Sequence, residues 1–174
     1  FMKLKIQNVL IDNNKPAYLI AEAGVNHNGS LRLAKKLIDI AKQAGANAVK
    51  FQTFKTEKLI IPKGPKAKYH VQTTGSNKKL SWSDLLKSQE ISKKMHQELI
   101  KYCKKKKITF LSTPYDEDSA DMLDELGVPA FKIASTDNDN YPLLAHIAKK
   151  RKPMIISTGM SSMEEILKAK KVIL

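Results

Sequence analysis

The chain has 174 residues, 42% of them hydrophobic, enough for one good core and compatible with a globular domain. No apolar run reaches the length of a membrane span, and the opening Phe1-Met2-Lys3-Leu4-Lys5 has no apolar h-region or cleavage site of a secretory signal. The charge of +14, from 31 basic and 17 acidic side chains, suits anionic partners. Much of that excess is lysine spread over helix faces, as in Lys101 and Lys104 to Lys107. Without zinc-finger spacing, an RNP motif or an aromatic-interleaved basic stripe, it reads as a solvated face rather than a nucleic-acid surface. The single Cys103 cannot form an internal disulfide, so a reducing cytoplasm is the expected location.

In chain order, a short N-terminal stretch with hairpin character precedes a first strand over Ala17–Ala23. Ser30 caps a helix whose Leu31, Ala34, Leu37, Ile38 and Ala41 recur at helical spacing, and Gly45 closes it. The second strand is Ala46–Thr53. The segment from Lys55 to Leu80 is rich in Lys, Gly, Pro and Thr and reads as an enlarged loop, a lid or a simple insertion. Trp82, between Ser81 and Asp84, anchors a short helix. Ser92 opens another with Met95, Leu99 and Cys103 on one face. Ile108–Thr113 is the third strand. A helix with Ala120, Leu123 and Leu126 ends at Gly127, and Ala130–Ser135 is the fourth strand. Pro142 sits at a helix start, where its missing N–H costs nothing. Met154–Thr158 is the fifth strand. Ser161 and Glu164 then make a capping-box pattern before Ile166.

Strands alternating with helices mean a parallel sheet with helices outside, either open and doubly wound or closed into a barrel. The first strand's loop has neither GxGxxG nor a Walker sequence, which weakens the nucleotide-binding open sheets. Polar residues collect at the carboxyl ends of the strands: Glu22; Lys50 and Gln52; Ser112 and Thr113; Lys132 and Ser135; Ser157 and Thr158. In parallel α/β folds that edge is where sites are built. Lys50, between Val49 and Phe51, and Lys132, between Phe131 and Ile133, are the sharpest signals. An ammonium in an apolar strand is costly unless it meets an anion or loses its proton. With the hydroxyls of Thr113, Ser135 and Ser157 the two lysines make a phosphate or carboxylate cradle. The plainer reading is two lysines snorkelling from strand ends. His27 reads as ordering a strand-to-helix turn, Cys103 as core, and His70, His96 and His146 lack metal-site spacing.

Five ordered motifs carry a resemblance. They are Ala21-Glu22-Ala23-Gly24-Val25-Asn26-His27-Asn28-Gly29, Val49-Lys50-Phe51-Gln52-Thr53, Leu111-Ser112-Thr113-Pro114, Phe131-Lys132-Ile133-Ala134-Ser135 and Ile156-Ser157-Thr158-Gly159-Met160. From about Pro16 to the end the chain resembles the sialic acid synthase family, which includes N-acetylneuraminate, legionaminate and pseudaminate synthases. The resemblance implies the N-terminal part, about five β/α units, of a parallel (β/α)8 TIM barrel. Residues 1–174 would be the N-terminal portion of that domain, without the remaining strands and the C-terminal antifreeze-like domain. It implies condensation of phosphoenolpyruvate with N-acetylmannosamine or a related hexose, releasing phosphate. Lys50, Thr113, Lys132, Ser135 and Ser157 would hold phosphoenolpyruvate, Gln52 would face the sugar, and Glu22 would act on water at the reacting centre. A divalent metal, Mn2+ or Mg2+, would be held by histidines beyond residue 174, none of its ligands lying in this chain. The full-length protein would be a homodimer acting on small molecules, with neither nucleic acid nor membrane as partner.

One position departs from the pattern. Many bacterial members carry glutamate two residues after the serine matching Ser135, where this chain has Asp137, a carboxylate one methylene shorter. Asp137 is expected to be a sugar ligand. Gly24-Val25-Asn26-His27 looks more like the neuraminate and legionaminate branch than the pseudaminate one. Two other readings stay open: a Schiff-base aldolase using Lys132 or Lys50, and a non-enzymatic basic module binding RNA or another anion.

Overall fold

A computed structural model describes residues 4–61 and 81–174. His70 and most of the enlarged-loop segment lie outside the described residues. The chain opens with a hairpin of β1 (Leu4–Ile6) and β2 (Val9–Ile11), antiparallel with Leu4 opposite Ile11. Then come β3 (Ile20–Gly24), α1 (Leu31–Gln43), β4 (Ala48–Thr53), the short α2 (Thr56–Leu59), α3 (Trp82–Gln89), α4 (Lys93–Lys106), β5 (Thr109–Pro114) and α5 (Glu117–Glu125). They are followed by β6 (Phe131–Ile133), a 3-10 turn (Ser135–Asp137), α6 (Tyr141–Ala148), β7 (Met154–Ile156) and α7 (Met163–Ile173).

β3, β4 and β5 form one parallel sheet in that order, and β6 and β7 pair in parallel. β5 and β6 lie side by side, so the five strands run in chain order around an arc. Side chains alternate across it as the strand period requires. Val49, Phe51, Phe110, Phe131 and Ile133 pack outward beneath the helices with Ala34, Ile38, Leu99, Leu123, Leu144 and Ile147. The inward residues Ala48, Leu111 and Ala130 meet Ile6 of the hairpin, with Tyr18, Ile20 and Ile155 packed against them. The hairpin therefore plugs the amino end of the arc, and the carboxyl end is left to polar groups.

The helix signals are local. Ser30, Ser92 and Asp116 cap α1, α4 and α5 with side-chain oxygens that accept from the third residue on. Asn140 caps α6 with Pro142 in its first turn. Several expectations shift: β4 begins at Ala48 rather than Ala46, and β7 ends at Ile156 rather than Thr158. The capping box of the last helix is Ser162 with Glu165, one residue beyond Ser161 and Glu164, and Ser161 instead accepts from Asn138 Nδ2 at 3.0 Å. β3 begins at Ile20 rather than Ala17, because Leu19 N donates to the Asn47 side chain and not to a strand partner. β6 stops at Ile133, because Ser135 turns into the 3-10 helix. Among the described residues no helix is long and apolar enough to cross a membrane.

Candidate functional site

The carboxyl edge of the arc brings most of the expected residues together. Glu22 on β3 stands opposite Lys50 on β4, and their side chains form an ion pair. The Lys50 side chain is only 13% exposed and that of Glu22 is 50% exposed. Glu22 is therefore a rim carboxylate. Its pairing partner is the more deeply held charge. β3 bulges between Glu22 and Gly24, and Gly24 adopts a φ of +52°, a conformation that L side chains rarely take. A Cβ on Gly24 would come within 3.2 Å of Glu22 Oε1 and 3.7 Å of Gln52 Nε2. Glycine thus lets the Glu22 and Gln52 side chains approach the same spot.

Gln52 pairs in register with Thr113 on β5, which is buried. Lys132 lies on β6, and its Nζ donates to Ser157 Oγ and to the Ile133 carbonyl, both at 2.5 Å. Burial holds the Lys132 ammonium below the usual lysine range, the charge of Lys50 adds to that, and Glu22 opposes it. Lys50 and Lys132 are thus close enough for their charges to interact. Ser135 lies against the loop after β7: a Cβ on Gly159 would stand 3.7 Å from the Ser135 Cβ and 3.8 Å from its Oγ.

Asp137 is buried within its own 3-10 turn. Its carboxylate accepts from Asn140 Nδ2 at 3.3 Å and from Thr136 Oγ1 at 3.5 Å, and burial raises its pKa. Of those partners Asn140 caps α6 and Thr136 belongs to the 3-10 turn itself. His27 is fully buried: its Nδ1 accepts from Gly29 N at 3.0 Å and its ring tilts against Phe51, as expected of a turn-ordering residue. Cys103 is buried, and burial pushes its thiol up to about 12, leaving it inert. Among the described residues no group of three or more His, Cys, Asp or Glu could hold a metal ion.

Sequence reasoning missed the chain of buried polar groups behind the edge. His96 Nε2 lies 2.8 Å from Thr53 Oγ1, which lies 2.7 Å from Ser112 Oγ. The polar Thr53 and Ser112 on the outward faces that otherwise carry Val49, Phe51 and Phe110 were the available signal.

The NeuB family description matches residues 37–174. The chain belongs to the NeuB family. It is 48% identical over 159 residues to the N,N'-diacetyllegionaminic acid synthase of Campylobacter jejuni, covering 91% of this chain and 47% of that protein. It is 34% identical over 163 residues to the human N-acetylneuraminate-9-phosphate synthase, covering 94% of this chain and 45% of that one. The crystal structure of N-acetylneuraminic acid synthetase from Leptospira borgpetersenii, in complex with citrate, superposes with a TM-score of 0.82 at 36% identity. That match covers 99% of this chain and 55% of the Leptospira chain. The chain spans about half the length of the curated relatives it matches. The α/β arc is thus the N-terminal part, about five β/α units, of a parallel (β/α)8 barrel.

Proposed function

We propose that residues 1–174 are the N-terminal barrel portion of a synthase that joins phosphoenolpyruvate to an N-acetylhexosamine such as N-acetylmannosamine. The product is a nonulosonic acid, with phosphate released. The observation that carries the reading is that Lys50 on β4, paired with Glu22, and Lys132 on β6, bonded to Ser157, stand at the same carboxyl edge as Thr113. Phosphoenolpyruvate is polyanionic near neutral pH, so fixed cations must hold it. Lys50 and Lys132 supply the charge, and Thr113, Ser135 and Ser157 supply hydroxyls for its oxygens. Gln52 and Asp137 face the sugar in this reading, Asp137 by way of its turn.

The chemistry follows from the positions. C3 of phosphoenolpyruvate attacks the sugar's aldehyde carbon, a C–C bond forms, and the aldehyde oxygen takes a proton. Water then adds to C2, giving up a proton to Glu22. The C2–O bond to the phosphoryl group breaks, leaving a ketone and inorganic phosphate. Glu22 suits that role because it is half exposed, able to meet water, yet fixed by Lys50. Holding both reactants in place supplies much of the rate. By resemblance the full-length protein is a cytoplasmic homodimer that uses Mn2+ or Mg2+ and binds neither nucleic acid nor membrane.

Phosphate release by the full-length protein, with phosphoenolpyruvate and a panel of N-acetylhexosamines, tests the reading. Release that depends on one acceptor and is lost in a folded Glu22→Gln variant is expected. No release with any acceptor refutes it. The lowered pKa of Lys132 favours one competing reading, a Schiff-base aldolase, because a neutral amine is the nucleophile there. Borohydride trapping of a lysine–carbonyl adduct would decide for that enzyme.

A further inference from the structure

A buried polar chain crosses the interface between α4 and the sheet, directly behind the carboxyl edge. His96 is fully buried, and Thr53 and Ser112 are 2% and 1% exposed. The His96 Nδ1 lies 3.0 Å from the Ser92 carbonyl, which can only accept, so Nδ1 carries the proton. Nε2 then accepts from the Thr53 hydroxyl at 2.8 Å, and Thr53 Oγ1 accepts from the Ser112 hydroxyl at 2.7 Å. Each link has one donor and one acceptor, so the direction of the whole chain is fixed.

Apart from the nearby His27, its surroundings are apolar. The Phe110 ring meets His96 edge-on at 6.2 Å, and Leu99 and Cys103 of the same helix are buried beside it. Aliphatic residues at these positions would fill the space without desolvating polar groups, so stability alone does not call for such a chain. Its place suggests another use. Thr53 and Ser112 point outward, and their chain neighbours Gln52 and Thr113 point to the opposite face. Gln52 and Thr113 are register partners, while Phe51 pairs with Ser112 and Thr53 with Pro114. The Thr53–Ser112 bond therefore ties the last residue of β4 to β5 two residues before β5 ends, and His96 ties both to α4.

We propose that His96, acting through Thr53 and Ser112, is a positioning residue that sets Gln52 and Thr113 for the acceptor sugar and phosphoenolpyruvate. This rests on the reaction proposed above. The link that matters is the one to Thr53, not the one to Ser92.

Two variants of the full-length protein separate the links. In His96→Gln the longer amide reaches the Nε2 position and can accept from Thr53. In His96→Asn the shorter amide reaches the Nδ1 position and can serve only Ser92. His96→Asn is expected to raise the acceptor KM about fivefold, the size of one lost hydrogen bond, with kcat changed less than about twofold. His96→Gln is expected to stay within about twofold of wild type on both. Thr53→Val, which removes the hydroxyl and keeps the volume, should match His96→Asn and carries the comparison if that variant does not fold. Equal KM values in all the proteins, or His96→Gln as impaired as His96→Asn, would overturn the proposal. If wild type turns over no hexosamine, the reaction is wrong and crystal structures decide the positioning. Gln52 and Thr113 displaced in His96→Asn but not in His96→Gln would support it. Unmoved side chains in both would overturn it.

Discussion

Acidification from pH 7.5 to pH 5 is expected to cost this fold about 2 kcal/mol through one buried imidazole. His96 has its pKa lowered to about 4, first by burial and further by the nearby His27, against the Ser92 carbonyl, which favours the charged form. The unfolded chain holds it near the ordinary value of about 6.5. Between those two values the unfolded state binds the proton and the folded state does not. Stability is therefore fully present above pH 6.5 and is lost as the pH falls toward 4. The whole shift is worth about 3 kcal/mol, of which about 2 is spent by pH 5. Urea unfolding of wild type and His96→Gln at both pH values isolates the term, because the other titrating groups are common to both. His96→Gln is expected to be the weaker protein at pH 7.5, by about 1 kcal/mol for the lost bond to Ser92. At pH 5 it should equal or exceed wild type. Parallel losses in the two proteins would refute the buried, neutral imidazole.

Lys50→Ala in the full-length protein should raise the KM for phosphoenolpyruvate about 10- to 100-fold, the worth of one charge-assisted hydrogen bond, in steady-state phosphate release. An unchanged KM would remove Lys50 from the cradle. Gly24→Ala forces a side chain into φ +52° and to 3.2 Å from Glu22 Oε1. It should cost about 1–2 kcal/mol in thermal unfolding and lower kcat by displacing Glu22. The 174-residue chain expressed alone should self-associate in analytical ultracentrifugation. β7 has β6 as its hydrogen-bonded partner, and an apolar groove of about 420 Å3 lined by Met154, Ile156, Ile166 and Ile173 opens beside it. Met163 and Leu167 of α7 are exposed as well. A monodisperse monomer with synthase turnover would contradict that.

Much of this fold was legible because its signals are local. The apolar spacing of α1, the serine caps of α1 and α4 and the Val49/Phe51 alternation each act within a few residues. Strand ends were less legible. Ala17 to Leu19 is apolar enough for a strand, yet β3 begins three residues after Ala17, and Leu19 spends its N–H on the Asn47 side chain, 28 residues away. The capping box slipped by one because Ser161 and Ser162 are adjacent, and only the bond from Asn138 distinguishes them. At the site, Lys50 and Lys132 stood out because a charge in an apolar strand demands a reason. Neither the bulge between Glu22 and Gly24 nor the half-exposure of Glu22 is announced by any spacing rule. The His96–Thr53–Ser112 chain joins residues 43 and 59 positions apart and reads in sequence as three unrelated polar residues.

The central claim is that Lys50 and Lys132 hold one anion between strands β4 and β6. A crystal structure of the full-length protein with phosphoenolpyruvate tests it most directly. Both ammonium groups should lie within about 3.2 Å of its phosphate or carboxylate oxygens, with Ser157 and Thr113 alongside and Glu22 beside C2. Phosphoenolpyruvate bound away from the carboxyl edge, or held there with either lysine turned outward, would contradict the account.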